Sequence, residues 1–291
     1  MRYEVTHNTS YEYDHEVSLA YHLMRLKPRE EPRQRCLEHE LRIEPLPALT
    51  GQRTDYFGNT AGFCTIEGPH KTLAVTARSL VEVWPAALPD LALTPAWESV
   101  RELCRGDRLT AAAEAEEFAF PSPLVPRSAA FAGYAATSFL PGRPLLQAVL
   151  DLTGRIHREF SFDPKATTVA TPLEQVFKER RGVCQDFAHF QMACLRSLGL
   201  PVRYVSGYLE TLPPPGRARL VGADASHAWL ACYCPGHGWV DVDPTNNLLP
   251  SARHVTVAWG RDFNDVSPIR GVLTGGGAHS PKVSVDVRPV G

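Results

Sequence analysis

"RRGVCQDFAHFQMACLRSLGLP", Arg180–Pro201, is the stretch on which the reading of this chain turns. Beyond Cys184, the residues Phe187, Phe190, Cys194 and Leu198 recur at three- and four-residue steps. That period predicts an amphipathic helix with one buried stripe. Gly199 caps its end and Pro201 forbids continuation. Two arginines and a glycine lead in, which sets a lone cysteine in the first helical turn. Unpaired N–H groups and the positive end of the helix dipole favour a thiolate there. Asp186, in the same turn, can cap amides but opposes a neighbouring anion. Gly182 lets the backbone approach a bound molecule closely. Whether Cys184 fills a core or reacts depends on what the rest of the chain sets beside it.

Helices precede this segment and strands follow it. "LLQAVLDLTGRIHREF" places Leu146, Val149, Leu150, Ile156 and Phe160 near one face. "TPLEQVFKER" starts with Thr171 as a cap, Pro172 at the first helical position and an acid in the first turn. After Pro201, "VRYVSGYLE", "SHAWLACYC" and "GWVDVDP" read as strands, so residues 145–260 form an α+β unit. Residues 1–85 are β-rich, with near-alternating "RYEVTHNTSYEYD", "LEHELRIEPLP" and "TLAVTARSLVEVW" separated by turns such as "DYFGNT". They predict an N-terminal antiparallel β-sandwich. Residues 86–144 are rich in proline and alanine and carry too many aromatics to stay disordered, so they read as a connector wrapped on a surface. In the tail, 261–291, Val283, Val285 and Val287 alternate and predict a strand returning to a sheet. Gly275–Gly277 lacks the lysine and serine of a phosphate loop.

Composition narrows the function classes. The chain has 291 residues, 44% hydrophobic and 21% charged, with a formal net charge of -2 and no basic tract. That is a globular protein without the electrostatic footprint of nucleic-acid binding. The first residues lack the apolar run of a signal peptide, and no segment approaches the ~20 apolar residues of a membrane span. The expected compartment is cytoplasmic, with no membrane partner. Seven scattered cysteines argue for reduced thiols packed as small hydrophobes rather than a disulfide framework.

A nucleophilic thiol needs a base and an orienting group. In "DASHAWLACYC", His227 and Trp229 share one face of a strand by alternation. In "GWVDVDPTNN", Asp241 and Asp243 do the same, and Asp243 abuts the proline that ends the strand. An acid there, beside a strand carrying His227, fixes the imidazole tautomer and stabilises its cation. The bland alternatives are a packed strand histidine and simple turn chemistry in "DPTNN". Cysteine at a helix start, then a strand histidine, then a strand-end aspartate is the nucleophile–base–orienter order of a thiol enzyme.

At these residues the chain resembles a known family. "GVCQDFAH", "SHAW" and "GWVDVDPT" together resemble the bacterial transglutaminase-like (cysteine protease) superfamily, which has a papain-like core. The β-rich front half and "GRDFNDVSPIRGV" resemble the segments that flank that core. The resemblance implies a core helix carrying the cysteine and packed on an antiparallel sheet. It implies Cys184 as nucleophile, His227 as base and Asp243 as orienter, acting without cofactor or metal on a peptide or protein substrate. Hydrolysis of an amide, transfer of its acyl group to an amine, and a non-catalytic binding scaffold on the same fold are the activities it leaves open. Animal transglutaminases carry Trp after the cysteine where this chain has Gln185, so cross-linking and calcium dependence are not implied. Papain-type enzymes place an oxyanion-hole glutamine where Lys178 stands. The N–H of Cys184 supplies one oxyanion donor. Trp229 either shields the pair from water or anchors the core.

The chemical rival is zinc. Cys232, Cys234, His237 and His227 are close in sequence, but the spacing is poor: a C-x-C pair on one strand has no second C-x-x-C or H-x₃-H. Cys194, Cys232 and Cys234 read as packing residues.

Overall fold

The computed structural model describes residues 1–106, 111–210 and 226–290. In chain order the front lobe opens with β1 (Arg2–Met24), β2 (Gln34–Glu44), β3 (Leu49–Thr54) and β4 (Thr60–Val83). Helices α1 (Trp97–Gly106), α2 (Ala111–Glu116), α3 (Ala129–Ala136) and α4 (Leu145–Glu159) follow. Then come β5 (Ser161–Phe162), α5 (Leu173–Glu179), β6 (Arg181–Gly182) and α6 (Cys184–Ser197). Strands β7 (Val202–Leu209), β8 (Ser226–Cys234), β9 (Gly238–Val242) and β10 (His254–Gly260) complete the second lobe. After α7 (Phe263–Val266), β11 (Ile269–Gly275) and β12 (His279–Val290) run back to the front lobe.

Two long strands organise the front lobe. β1 and β4 pair antiparallel along their length, with β12 and β2 flanking one half and β11 and β3 the other. Buried positions of β1 are odd-numbered from Tyr3 to Val17 and even-numbered from Ala20 to Met24. The switch coincides with register breaks around Val17, because one extra residue turns every later side chain to the opposite face. The expected sandwich is therefore one sheet turned on itself. Ile43, Val75 and Ala77 from one half share a core with Ala20, Met24, Cys64 and Ile66 from the other.

The second lobe is α+β. β10, β7, β8 and β9 form a four-stranded antiparallel sheet in that order, and α6 packs on β7 and β8. Here the structure corrects the amphipathic reading. Every residue of α6 from Asp186 to Arg196 is buried, because α3, α4 and α5 cover the side that the sheet does not. Phe187, Phe190 and Cys194 are buried as expected, while Leu198 caps the helix half-buried. The phenylalanines face the helices rather than the sheet: the Phe190 ring lies 4.9 Å from Phe160, 5.0 Å from Phe177 and 5.6 Å from Phe131. His189 meets the sheet, its ring tilted against Tyr204 at 4.7 Å, and accepts the N–H of Phe263 through Nε2.

Most polar groups inside this helix find partners, as burial demands, although Gln191 Oε1 has none among the described residues. Gln191 donates to Thr153 Oγ1, and Arg196 donates to the carbonyls of Phe118, Val202 and Arg261 and to Ser122 Oγ. Thr171 does not cap α5; its hydroxyl accepts the N–H of Thr168, and the helix starts from Pro172 without a side-chain cap. The lobes are fused through one core. Tyr3, Val5, Val81, Val83, Val285 and Val287 of the front sheet join the cluster that holds Phe190, Leu195 and Tyr208. The helical stretch between the lobes adds Val100, Val125, Phe131 and Ala135 to it. Among the described residues, which include all seven cysteines, no disulfide forms, and no helix is long and apolar enough to cross a membrane.

Candidate active site

Cys184 is the first residue of α6 and is half-buried. The residue before the helix is Val183, whose side chain cannot cap it, so the cap comes from inside the first turn. Asp186 Oδ2 accepts the N–H of Val183 at 2.8 Å and the hydroxyl of Thr167 at 2.6 Å. Burial raises the Asp186 pKa, and these two bonds oppose that rise without cancelling it. The cap requires glycine at 182: a Cβ there would sit 2.6 Å from Asp186 Oδ2.

His227 enters from the start of β8, opposite Gly207 of β7. That glycine makes room for Trp229, since an added Cβ would come within 2.6 Å of the indole and 2.1 Å of the Val255 carbonyl oxygen. Trp229 is fully buried, its ring 6.0 Å from that of His227, so it both anchors the core and walls one side of the imidazole.

Asp243 lies one residue past β9 with no solvent exposure. Its two oxygens divide the work. Oδ1 accepts the N–H groups of Thr245 and Asn246 at 2.9 and 3.1 Å, which is the turn chemistry expected of "DPTNN". Oδ2 accepts His227 Nε2 at 2.7 Å and the Asn246 amide at 2.8 Å. A further partner was not visible in the sequence: His254 Nε2 lies 3.2 Å from the same oxygen.

The structure thus brings Cys184, His227 and Asp243 together. Burial by itself would lower the His227 pKa, but its hydrogen bonds to Asp243 and to Cys184 prevail and raise it to about 10. Burial would likewise raise the Asp243 pKa, yet the bonds from His227 and His254 hold it far below the carboxylate range. With Nε2 committed to Asp243, Nδ1 is the imidazole nitrogen left for the thiol. The pair is therefore arranged to move a proton between sulfur and Nδ1.

The other candidates fall elsewhere. Asp241 meets Arg33 of the front lobe at 3.2 Å; burial raises its pKa, opposed by Arg203 and Arg33. Lys178 is exposed on α5. Cys232 and Cys234 are buried with their sulfurs 3.9 Å from the Tyr233 and Pro235 carbonyls, and burial pushes the Cys234 thiol up to about 11. Among the described residues, the ligand-type atoms that converge belong to His227, Asp243 and His254 instead, and the hydrogen bonds between them account for that convergence.

A thiol at a helix start, set against a sheet-borne histidine and aspartate, is the architecture of a transglutaminase-like protein. The chain belongs to that superfamily: residues 135–244 match the transglutaminase-like superfamily model, and residues 3–82 match the bacterial transglutaminase-like N-terminal region. An uncharacterised protein of Mycobacterium tuberculosis (strain H37Rv) is 41% identical over 298 residues, covering 99% of this chain and 93% of its own. A Pseudomonas aeruginosa protein named protein-glutamine gamma-glutamyltransferase is 27% identical over 173 residues, 58% of this chain and 23% of that one. A crystal structure from Cytophaga hutchinsonii, described as a "Putative Cysteine Protease", superposes with a TM-score of 0.76 at 21% identity, over 99% of this chain and 90% of that one. At that identity the likeness is one of fold.

Proposed function

We propose that the protein is a thiol-dependent acyl-transfer enzyme that cleaves peptide or glutamine-type amides through a Cys184–His227–Asp243 triad. The observation that carries this reading is the placement of His227 between the Asp243 carboxylate and Cys184. The thiol transfers its proton to His227 Nδ1 as sulfur attacks the amide carbonyl. The imidazolium returns that proton to the departing amine, leaving a thioester on Cys184. Asp243 fixes the imidazole tautomer throughout, and the N–H of Cys184 lies at a helix N-terminus, where it favours the developing oxyanion.

Water is the default acceptor for the thioester, which makes the reaction a hydrolysis. Amine transfer is the second reading, supported by the relative named protein-glutamine gamma-glutamyltransferase. The test is intact-mass trapping of an acyl-enzyme from peptide and glutamine-amide libraries, with and without a primary amine. A covalent adduct absent from Cys184→Ala supports the proposal. Equal turnover by Cys184→Ala removes it. Product carrying the amine instead of a free carboxylate decides for transamidation.

A further inference from the structure

His254 is a buried histidine that the three-residue mechanism leaves unused. It opens β10, an edge strand of the second sheet, opposite Leu209 of β7. Nε2 faces Asp243 Oδ2, while Nδ1 is buried without a hydrogen-bond partner among the described residues. One nitrogen on a carboxylate and the other facing nothing selects one tautomer, with the proton on Nε2 and donated to Asp243. The ring is braced at 5.2 Å, nearly perpendicular, against Trp229. Two residues along, the free edge of β10 is held from the front lobe. Gln34 takes the N–H of Thr256 on Oε1 and gives its amide to the Thr256 carbonyl, each at 2.7 Å.

We infer that His254 is a positioning residue, whose donation to Oδ2 keeps the buried Asp243 carboxylate ionised and aimed at His227. The inference rests on the triad proposed above and adds a fourth side chain to it. A carboxylate shut away from solvent stays charged only while donors replace its hydration. Asp243 has five: two backbone N–H groups and the Asn246 amide from its own turn, His227 from β8, and His254 from β10. His254 is the one of these on the strand that the front lobe grips, so that lobe gains a part in holding the carboxylate. The other ionisable groups nearby are Cys184 beyond His227, and Asp241 with Arg33 and Glu31 toward the front lobe.

Without the donor, Oδ2 loses its brace from β10 and the carboxylate turns away from His227. His227 then loses part of the counter-charge for its cation, and the thiolate–imidazolium pair fails at higher pH. The measurement is the rate of Cys184 alkylation by iodoacetamide from about pH 4 to pH 8, followed by peptide mass on the full-length protein. His254→Phe keeps the ring packing without the donor, and His254→Gln keeps an amide donor. The acid limb should move up by roughly one pH unit in His254→Phe, slowing alkylation near pH 5 about tenfold, and stay within a few-fold of wild type in His254→Gln. His254→Leu serves the same purpose should the Phe variant not fold. Lower melting temperatures with an unmoved acid limb, or equal limb shifts in Phe and Gln variants, overturn the inference while the triad stands. A wild-type Cys184 no faster than Cys36 at acid pH overturns the triad and the inference together.

Discussion

Replacing Asp243 by Asn changes a single atom pair, and the structure says which way the new amide must point. Oδ1 receives two backbone N–H groups from the turn, so the amide oxygen stays on that side. The new NH₂ then occupies the Oδ2 position, where His227 Nε2, His254 Nε2 and the Asn246 amide all point donors at it. His227 can meet an N–H there only by moving its own proton to Nδ1, the nitrogen that must accept from sulfur. The loss has two parts: a charge-assisted hydrogen bond worth about 1.5–3 kcal/mol, and a remaining donor–donor clash worth about 1–3 kcal/mol. Together these give a rate loss of roughly 10² to 10⁴. Acyl-enzyme formation, followed by intact mass in single-turnover mode against Asp241→Asn, measures it. Asp241 faces Arg33 across the lobe boundary, so its Asn variant should keep most of the rate. A crippled Asp241→Asn beside a healthy Asp243→Asn would refute the reasoning.

The folded pKa of His227 is raised from 6.5 to about 10, so its charged contacts stabilise the fold fully below the unfolded value and fade as pH approaches 10. The melting-temperature gap between wild type and His227→Gln should accordingly be widest below about pH 6.5 and narrow toward pH 10; widening with pH would contradict this. Cys194→Ala truncates a fully buried side chain and should cost about 1 kcal/mol in denaturant titration with acyl-enzyme formation intact. Deleting residues 1–82 strips Tyr3, Val5 and Val81 from the shared core and should abolish cooperative melting by circular dichroism; a sharply melting fragment would show that the second lobe stands alone.

Much of the site was legible because it is local. The three-four spacing of Phe187, Phe190 and Cys194 marked α6, the two-residue alternation of "SHAW" and "WVDVD" marked β8 and β9, and "DP" marked the strand end. Spacing cannot say what lies opposite, however. The stripe holding Phe190 was expected against the sheet, but α3 and α5 took that side, and Gln191 and Arg196, off the stripe, are buried against Thr153 and four backbone or hydroxyl oxygens. The β1 bulge moved the inward face from odd to even positions without any mark in composition. His254 and Gln34 were beyond reach for a different reason. Their importance depends on register between β7 and β10 and on the docking of two lobes, which bring Gln34 to Thr256 across more than two hundred residues.

The pairing order of the front sheet sets when the core around Cys184 can close. β1 is made long before β11 and β12, its partners on one side, so Arg2 waits for Val290. At ~5–20 residues per second, synthesis leaves that 23-residue edge open for tens of seconds, a template for chain-to-chain pairing unless something shields it. The core around α6 waits too, since it needs Val285 and Val287 from the last strand. A nascent chain therefore carries Cys184 beside an unfinished core until β12 has been made. The fold itself defers assembly of the Cys184 site until the returning strands have been made.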